Sequence, residues 1–357
     1  MEKNLILAIN PGSTSTKIGI FRERNLLVQE TLRHTVEELN PYPLIIDQYE
    51  FRYQAVKTCL LQNQFDLQQF AAIVGRGGMM KPIAGGTYLV NDAMKQDLRI
   101  GYAGQHASNL GGLLADAFAV EAGVSAYIVD PVVVDEMQPI ARYTGIPVLT
   151  RRSVFHALNQ KAVAYRAAKS LGKSYTDSNF IVAHLGGGIS VAAHACGRVI
   201  DTNNALDGDG PFSPERAGSL PVEGVIRLAY SGKYTEAQLR KYFVGHGGLI
   251  AYLGTNDGRE IMARINNGDL FAKEVFEAMA YQISKAIGAA AAVLDGKVDA
   301  VLLTGGLAYS KLLTDYIQNK VRFIAPVKIY PGEDELLALA EGALRVLQGQ
   351  DEVKIYV

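Results

Sequence analysis

The sequence predicts an α/β chain built as two related halves, and three observations carry that reading. A segment near the start, Leu7-Ala-Ile-Asn10-Pro-Gly12-Ser13-Thr14, lines up with one half a chain later, Ile181-Val-Ala-His184-Leu-Gly186-Gly187-Gly188. Each leads from a short apolar strand into a turn of glycine or hydroxyl residues and out into another apolar strand, which reads as a β-hairpin. Between and beyond the two copies, apolar runs of strand length alternate with stretches of helical spacing. The length, 357 residues, suits two domains of ordinary size better than a single core.

Taken in order, the outgoing strands are residues 17–21 and 189–195. Residues 53–61 carry helical spacing. Ala71-Ala-Ile-Val74 and Ala126-Tyr-Ile-Val129 are short apolar runs closed by a glycine or an Asp-Pro, as buried strands are. Residues 108–122 and 153–170 read as helices. In the second half, residues 221–230, 235–242, 259–266 and the long 271–294 do the same. A strand at 299–303 ends in Thr304-Gly-Gly306, and 333–347 is a last helix. The least regular stretch, 201–220, is expected to be an active-site loop.

Composition narrows the function classes. The chain is 48% apolar and 20% charged, as a folded globular protein is. Its 36 glycines exceed the roughly 7% typical of soluble proteins, which directs attention to turns that bring backbone close to a ligand. A formal charge of −1 leaves no basic footprint for nucleic acid. Cys59 and Cys196 are too few for a disulfide framework and read as free thiols of a reducing cytosol. No leader pattern opens the chain, and the most apolar run, residues 286–294, is about half of what spans a bilayer. A cytoplasmic protein without membrane contact is expected.

Two segments have the chemistry of phosphate sites. In Asn10-Pro-Gly-Ser-Thr-Ser-Thr-Lys17 a glycine turn lets backbone approach an anion. Alternation along the outgoing strand puts Ser13, Ser15 and Lys17 on one face, offering hydroxyls and a compact cation. A solvated hairpin tip would use the same residues. The spacing is not that of a Walker loop. In His184-Leu-Gly-Gly-Gly188, three consecutive glycines after a strand cost backbone entropy and imply a reason to keep them. His106, His156, His184 and His194 lack the short paired spacing of a zinc site.

With these in view, the chain resembles the butyrate kinases of the acetate-kinase family, within the superfamily of actin-like ATPases, sugar kinases and chaperone ATPases. The resemblance runs end to end. It rests on residues 9–17 and 184–188 together with Val74-Gly-Arg-Gly-Gly78, Gln105-His-Ala-Ser-Asn-Leu-Gly111, Val129-Asp-Pro131 and Val154-Phe-His156. Asp201-Thr202, Pro214-Glu-Arg-Ala-Gly218, Thr304-Gly-Gly306 and Glu333-Asp-Glu-Leu336 complete it. It implies two duplicated ribonuclease-H-like (actin-like ATPase) domains with a nucleotide cleft between them. The first would be residues 1–155, joined by a C-terminal helix at 336–357, and the second 156–335.

The resemblance also implies roles. Arg76 and Arg216 match the arginines that flank the transferring phosphoryl, Asp130 an essential aspartate, and His156 a histidine beside the phosphoryl. Asn10, Ser13, Ser15 and Lys17 match the phosphate and metal side of the site, and His184, Gly186, Gly187 and Gly188 the second phosphate loop. Asp257, Arg259, Gly305 and Gly306 match the adenosine side. Glu335, with Asn10, matches the Mg²⁺ site. ATP or ADP is the implied co-substrate, a short-chain fatty acid the partner substrate, and a homodimer or larger homo-oligomer the implied assembly. Two departures are visible: Gln160 stands where acetate kinases have a histidine, and the stretch after Arg76 is shorter. Both suit the butyrate branch.

The chemistry agrees. A carboxylate and an ATP tail are both anions, so Arg76, Arg216, Lys17 and Mg²⁺ would neutralise their repulsion. A fatty acid titrates near ~4.3 like Glu and is already a nucleophile at neutral pH. Asp130 is therefore expected to organise the charged groups, or simply to end its strand, and His156 to donate a hydrogen bond, with no base required. Val132-Val-Val134 and Phe155 could wall an acyl pocket or belong to the core. Branched-chain fatty-acid, propionate or acetate kinases are the alternatives; an actin-like ATPase without an acid substrate is a more distant one. A sugar kinase would need a base aspartate and polar sugar contacts.

Overall fold

A computed structural model describes residues 3–357. The chain forms two compact units, one made of Met1–Val134 with Asp334–Val357, the other of Asp135–Glu333.

The first unit is organised by β1 (Leu5–Pro11), β2 (Ser15–Arg22), β3 (Asn25–Arg33), β4 (Phe70–Arg76), β5 (Thr87–Leu89) and β6 (Ser125–Val129). β1 is Leu-Ile-Leu-Ala-Ile-Asn-Pro, and every residue of it is buried. A strand apolar on both faces belongs inside a sheet covered on both sides. It pairs antiparallel with β2, which pairs antiparallel with β3, and parallel with β4, which pairs parallel with β6. The helices Asn109–Ala122 and Glu335–Leu347 pack against this sheet. Contact between strand and helix is closest at two glycines: a Cβ on Gly75 would strike the backbone of Gly111, and one on Gly111 the backbone of Arg76.

The second unit repeats the plan with β7 (Asn179–Leu185), β8 (Ile189–Ala195), β9 (Arg198–Thr202), β10 (Ala300–Gly305) and β11 (Val327–Pro331). β7 takes the place of β1, with β8 and β9 antiparallel on one side and β10 and β11 parallel on the other. The short β12 (Lys354–Ile355) returns to the first sheet, where it pairs with β5. The sheets are ordered β12-β5-β6-β4-β1-β2-β3 and β11-β10-β7-β8-β9. The repeat read from the sequence is thus the first hairpin of each sheet. Three residues turn β1 into β2 and three turn β7 into β8.

Three boundaries differ from expectation; one is the C-terminal helix expected over 336–357, which is the helix Glu335–Leu347, with β12 lying in the rest of that segment. Residues 135–155, expected with the first unit, belong to the second. Gln138 N–H donates to Ile200 O (3.0 Å), Glu136 accepts from Val199 N–H (2.8 Å) and pairs with Lys161 (2.9 Å), and Arg151 holds Asp201 (2.9 Å). These bonds tie the segment to β9. The helix expected from residue 153 is Ala157–Ser170, because Val154 O is occupied by the Ala205 N–H instead of opening a helical turn. The stretch 203–221 holds no helix or strand. Among the described residues, no helix is long and apolar enough to cross a membrane.

Overfilling the strand–helix crossing has a measurable cost. Gly75→Ala is expected to lower unfolding stability by about 1–3 kcal/mol, read as a shift of the urea midpoint at unchanged slope.

Candidate functional site

In each unit the candidate residues stand where parallel strands end at their carboxyl side, the usual place for a ligand in an α/β sheet. In the first, Asn10 lies at the end of β1, Arg76 ends β4, and Asp130 follows β6. Arg76 forms an ion pair with Glu335 Oε1 at 2.7 Å and donates to Asn10 Oδ1 at 3.3 Å, while Asn10 Nδ2 donates to Glu335 Oε2 at 2.6 Å. Amide, guanidinium and carboxylate therefore close a three-membered cluster. Glu335 sits in the first turn of its helix, where the backbone dipole also favours its charge. Nearby, His106 is held below its ordinary pKa, first by burial and then by the Arg76 charge.

Asp130 is buried and has φ of 38°, a left-handed conformation that is strained for a non-glycine residue. Gly86 holds it there, donating its N–H to Oδ1 at 2.7 Å and accepting the Asp130 N–H at 3.1 Å. Val133 and Val134 are buried and Val132 packs against the first unit's core; Phe155 is buried in the second. They act as core.

The turn at residues 12–14 is built from both sides. Ser13 and Lys17 are exposed and Ser15 is half-buried, whereas Thr16 is buried. Beside Gly12 a Cβ would meet nothing nearer than Ser15 at 3.6 Å, so the approach to this backbone is open. Behind the turn lies Arg52, fully buried in the helix Tyr49–Gln62. Its guanidinium donates to Ser13 O, Ser15 O and Thr16 Oγ1, each at 3.0 Å, and twice to Gln48 Oε1, at 3.0 and 2.9 Å. All five N–H groups thus go to neutral oxygens. Burial pushes the Arg52 pKa down to about 10. It still carries a charge at neutral pH, directly beneath the turn.

In the second unit the glycine turn is filled by the protein's own side chains. A Cβ on Gly186 would meet His184 Nε2 at 2.9 Å and Glu333 Oε1 at 3.1 Å, one on Gly187 would meet Glu215 at 3.2 Å, and one on Gly188 would overlap the Arg216 guanidinium. The glycines are needed because charged groups crowd the turn. Arg216 also donates to Ala205 O, and its buried Nε has no hydrogen-bond partner. Burial, the largest influence, lowers its pKa; Glu215 and Asp207 work against that. Ser213 Oγ donates to Gly187 O at 2.5 Å.

His156 and His184 stack, with ring centroids 3.7 Å apart and planes 7° from parallel. His184 Nδ1 faces Asn159 Oδ1 at 2.9 Å. Its Nε2 lies 3.0 Å from Glu333 Oε1, within ion-pair distance but out of line for a hydrogen bond. His156 Nδ1 faces Ser190 Oγ at 2.8 Å.

Asp257 and Arg259 form an exposed local pair. Asp257 caps the helix Gly258–Asn266 by accepting the Arg259 N–H at 2.8 Å and pairs with the Arg259 guanidinium at 3.0 Å. Chiefly through the Arg259 side chain, its pKa is pulled down to about 2. A Cβ on the intervening Gly258 would touch the Leu307 side chain at 3.4 Å. Gly305 has φ of 91° and packs on the Leu185 backbone; beside Gly306 the space is open.

Among the described residues no three acidic, histidine or cysteine side chains gather as a metal site. Sequence reasoning missed Arg52, although it falls on the helix face of Tyr53, Val56, Cys59 and Leu60. A charge on an apolar stripe was the available signal. Ser190, His194 and Asn159 carried none.

Comparison with known proteins fits this arrangement. The fold matches that of an acetate kinase from Porphyromonas gingivalis with TM-score 0.77 and 19% identity, covering 96% of this chain and 100% of that one. A propionate kinase from Francisella tularensis matches with TM-score 0.72 and 19% identity, over 96% and 99%. Residues 139–325 match the Acetokinase family, and the chain belongs to that family. It is 58% identical to butyrate kinase 2 of Clostridium acetobutylicum, over 98% of this chain and 99% of that protein. A probable butyrate kinase of Clostridium botulinum is 54% identical, again over 98% and 99%.

Buried histidine sets a pH dependence. His194 lies well below its ordinary pKa, first through burial and then through Lys161. The unfolded chain takes up that proton below about pH 6.5 and the native one does not, so stability is greatest above 6.5 and is lost on acidification. One such group contributes a slope of about 1.4 kcal/mol per pH unit. His34 and His106, also lowered mainly by burial, add to it. Urea titrations between pH 5 and 8 are expected to show a shallower slope for His194→Gln than for wild type.

Proposed function

We propose that the protein is an ATP-dependent carboxylate kinase that converts ATP and butyrate to ADP and butyryl phosphate by direct in-line transfer. The observation that carries this reading is Arg216: a half-buried arginine whose guanidinium lies against the Gly188 backbone and whose buried Nε has no partner. An unpaired buried donor on a cation is costly unless a ligand completes it, and the complement of an arginine fork is a phosphoryl or carboxylate group. The full-length likeness to butyrate kinases supports the acyl chain.

In this reading Lys17 and the Ser13 and Ser15 hydroxyls hold phosphate oxygens at the first turn, and residues 184–188 do so at the second. Arg76 and Arg216 neutralise the transferring group and steady the acid's carboxylate. Butyrate attacks as the anion, so no proton has to be removed. Asp130, fixed by Gly86, orients the charged groups. His156 donates to a phosphoryl oxygen. Asp257, Arg259, Gly305 and Gly306 take the adenosine side. The Glu335 carboxylate and Asn10 amide oxygen suit Mg²⁺, which takes few protein oxygens and fills its other positions with phosphate and water. When bound, the ion would neutralise charge on the nucleotide's oxygens.

A homo-oligomer is part of the proposal. The helices Val222–Ala229 and Glu236–Phe243 bury no residue, and Val222, Ile226, Tyr230 and Tyr242 stand exposed on or beside them, as a covered face would. The free thiols Cys59 and Cys196 suit the cytoplasm.

Hydroxamate trapping of acyl phosphate over straight and branched C2 to C6 acids tests the reaction. Butyrate is expected to be preferred; each methylene is worth only about 1–3 kcal/mol, so the neighbouring chain lengths react too. Absence of acyl phosphate with every acid overturns the proposal. Arg216→Ala is expected to lower kcat roughly 10³–10⁵-fold, whereas a surface ion pair, worth about 0–1 kcal/mol, would leave it within a few-fold.

A further inference from the structure

Behind His156 runs a buried chain of side chains whose hydrogen bonds can be given a direction. Gln160, one helical turn on from His156, is fully buried and faces Ser190 with its amide nitrogen, at 2.7 Å from Oγ and 3.2 Å from the backbone O. A backbone carbonyl only accepts, so the nitrogen must be on this side. The Gln160 Oε1 then faces His194 Nε2 at 3.0 Å, and because Oε1 only accepts, that nitrogen carries the proton. His194, fully buried beside Lys161, is neutral; its Nδ1 is bare and accepts from the Tyr175 hydroxyl at 2.8 Å. At the other end Ser190 Oγ has already accepted from Gln160. That oxygen could accept twice, but among the described residues the one atom able to take the proton of this buried hydroxyl is His156 Nδ1, 2.8 Å away, so the proton points there. Every link donates the same way, from Tyr175 to His156. A neutral His156 that accepts at Nδ1 carries its proton on Nε2.

We infer that Tyr175, His194, Gln160 and Ser190 are positioning residues that hold His156 as the Nε2–H tautomer, a neutral hydrogen-bond donor with no basic nitrogen turned to the substrate. The catalytic half of this inference rests on the phosphoryl-transfer reading above; the tautomer itself does not. The chain also accounts for glutamine at position 160. An amide has one donating and one accepting end, so it transmits a single direction.

The test is nitrogen-15 NMR of the histidine rings in ligand-free, full-length protein, with His156 assigned by its loss in His156→Asn. Wild type is expected to show a bare Nδ1 and a protonated Nε2 at His156. Ser190→Ala removes the donor at little change in volume and is expected to leave a mixture of tautomers. Gln160→Glu accepts at both ends and is expected to turn the Ser190 link around, moving the His156 proton to Nδ1. In the kinase assay, Ser190→Ala is expected to lower kcat roughly tenfold with the nucleotide KM unchanged, the loss of about one oriented hydrogen bond. A protonated Nδ1 in wild type, or a His156 tautomer unmoved in Ser190→Ala, overturns the inference whatever the activity. A shifted tautomer with unchanged kcat overturns its catalytic half alone. Failure of every acid to yield acyl phosphate counts against the reaction and leaves the NMR result standing.

Discussion

Everything proposed for this molecule depends on one constraint: the first strand of each sheet is buried on both faces and locked between neighbours. β1 and β7 each carry an antiparallel partner on one side and a parallel partner on the other. Neither can slide without exposing apolar side chains and breaking two ladders. The three residues that follow each strand are therefore delivered to a fixed place, beside the ends of the next parallel strands. Asn10 and Arg76 meet by this route in one unit, and His184 and Glu333 in the other.

The two turns solve opposite problems with the same geometry. At residues 12–14 the outer side is open and the cation is hidden behind, in Arg52. At residues 186–188 the charged side chains lie on the turn itself, and the missing Cβ atoms make room for them. The sequence suggested that glycine at both places admits a ligand. At the second turn glycine first admits His184, Glu215 and Arg216.

Much of the fold was legible because its signals are local. Apolar runs such as Leu-Ile-Leu-Ala-Ile and a duplicated strand–turn–strand need no tertiary information. β3 and β11 were missed for the opposite reason: both are edge strands with exposed or half-exposed residues, and only pairing with β2 and β10 makes them strands. The unit boundary was misplaced because residues 135–155 have little periodicity and are held by side-chain bonds to β9. Of the site, charged and glycine-rich motifs were readable. Arg52 and Ser190 were not singled out, and His194 was weighed only as a zinc ligand, since each acts through a partner distant in sequence.

Arg52 has a consequence for how portable the first turn is. The segment from Asn10 to Lys17 looks like a self-contained anion loop, the kind of fragment that invites grafting onto another scaffold. Its three inward contacts, two backbone carbonyls and one threonine hydroxyl, are held by a guanidinium that enters from a helix more than thirty positions later. A transplanted loop would bring its hydroxyls and its lysine but leave behind the buried charge and the clamp. What is inherited as a motif is only the outer half of a two-layer structure.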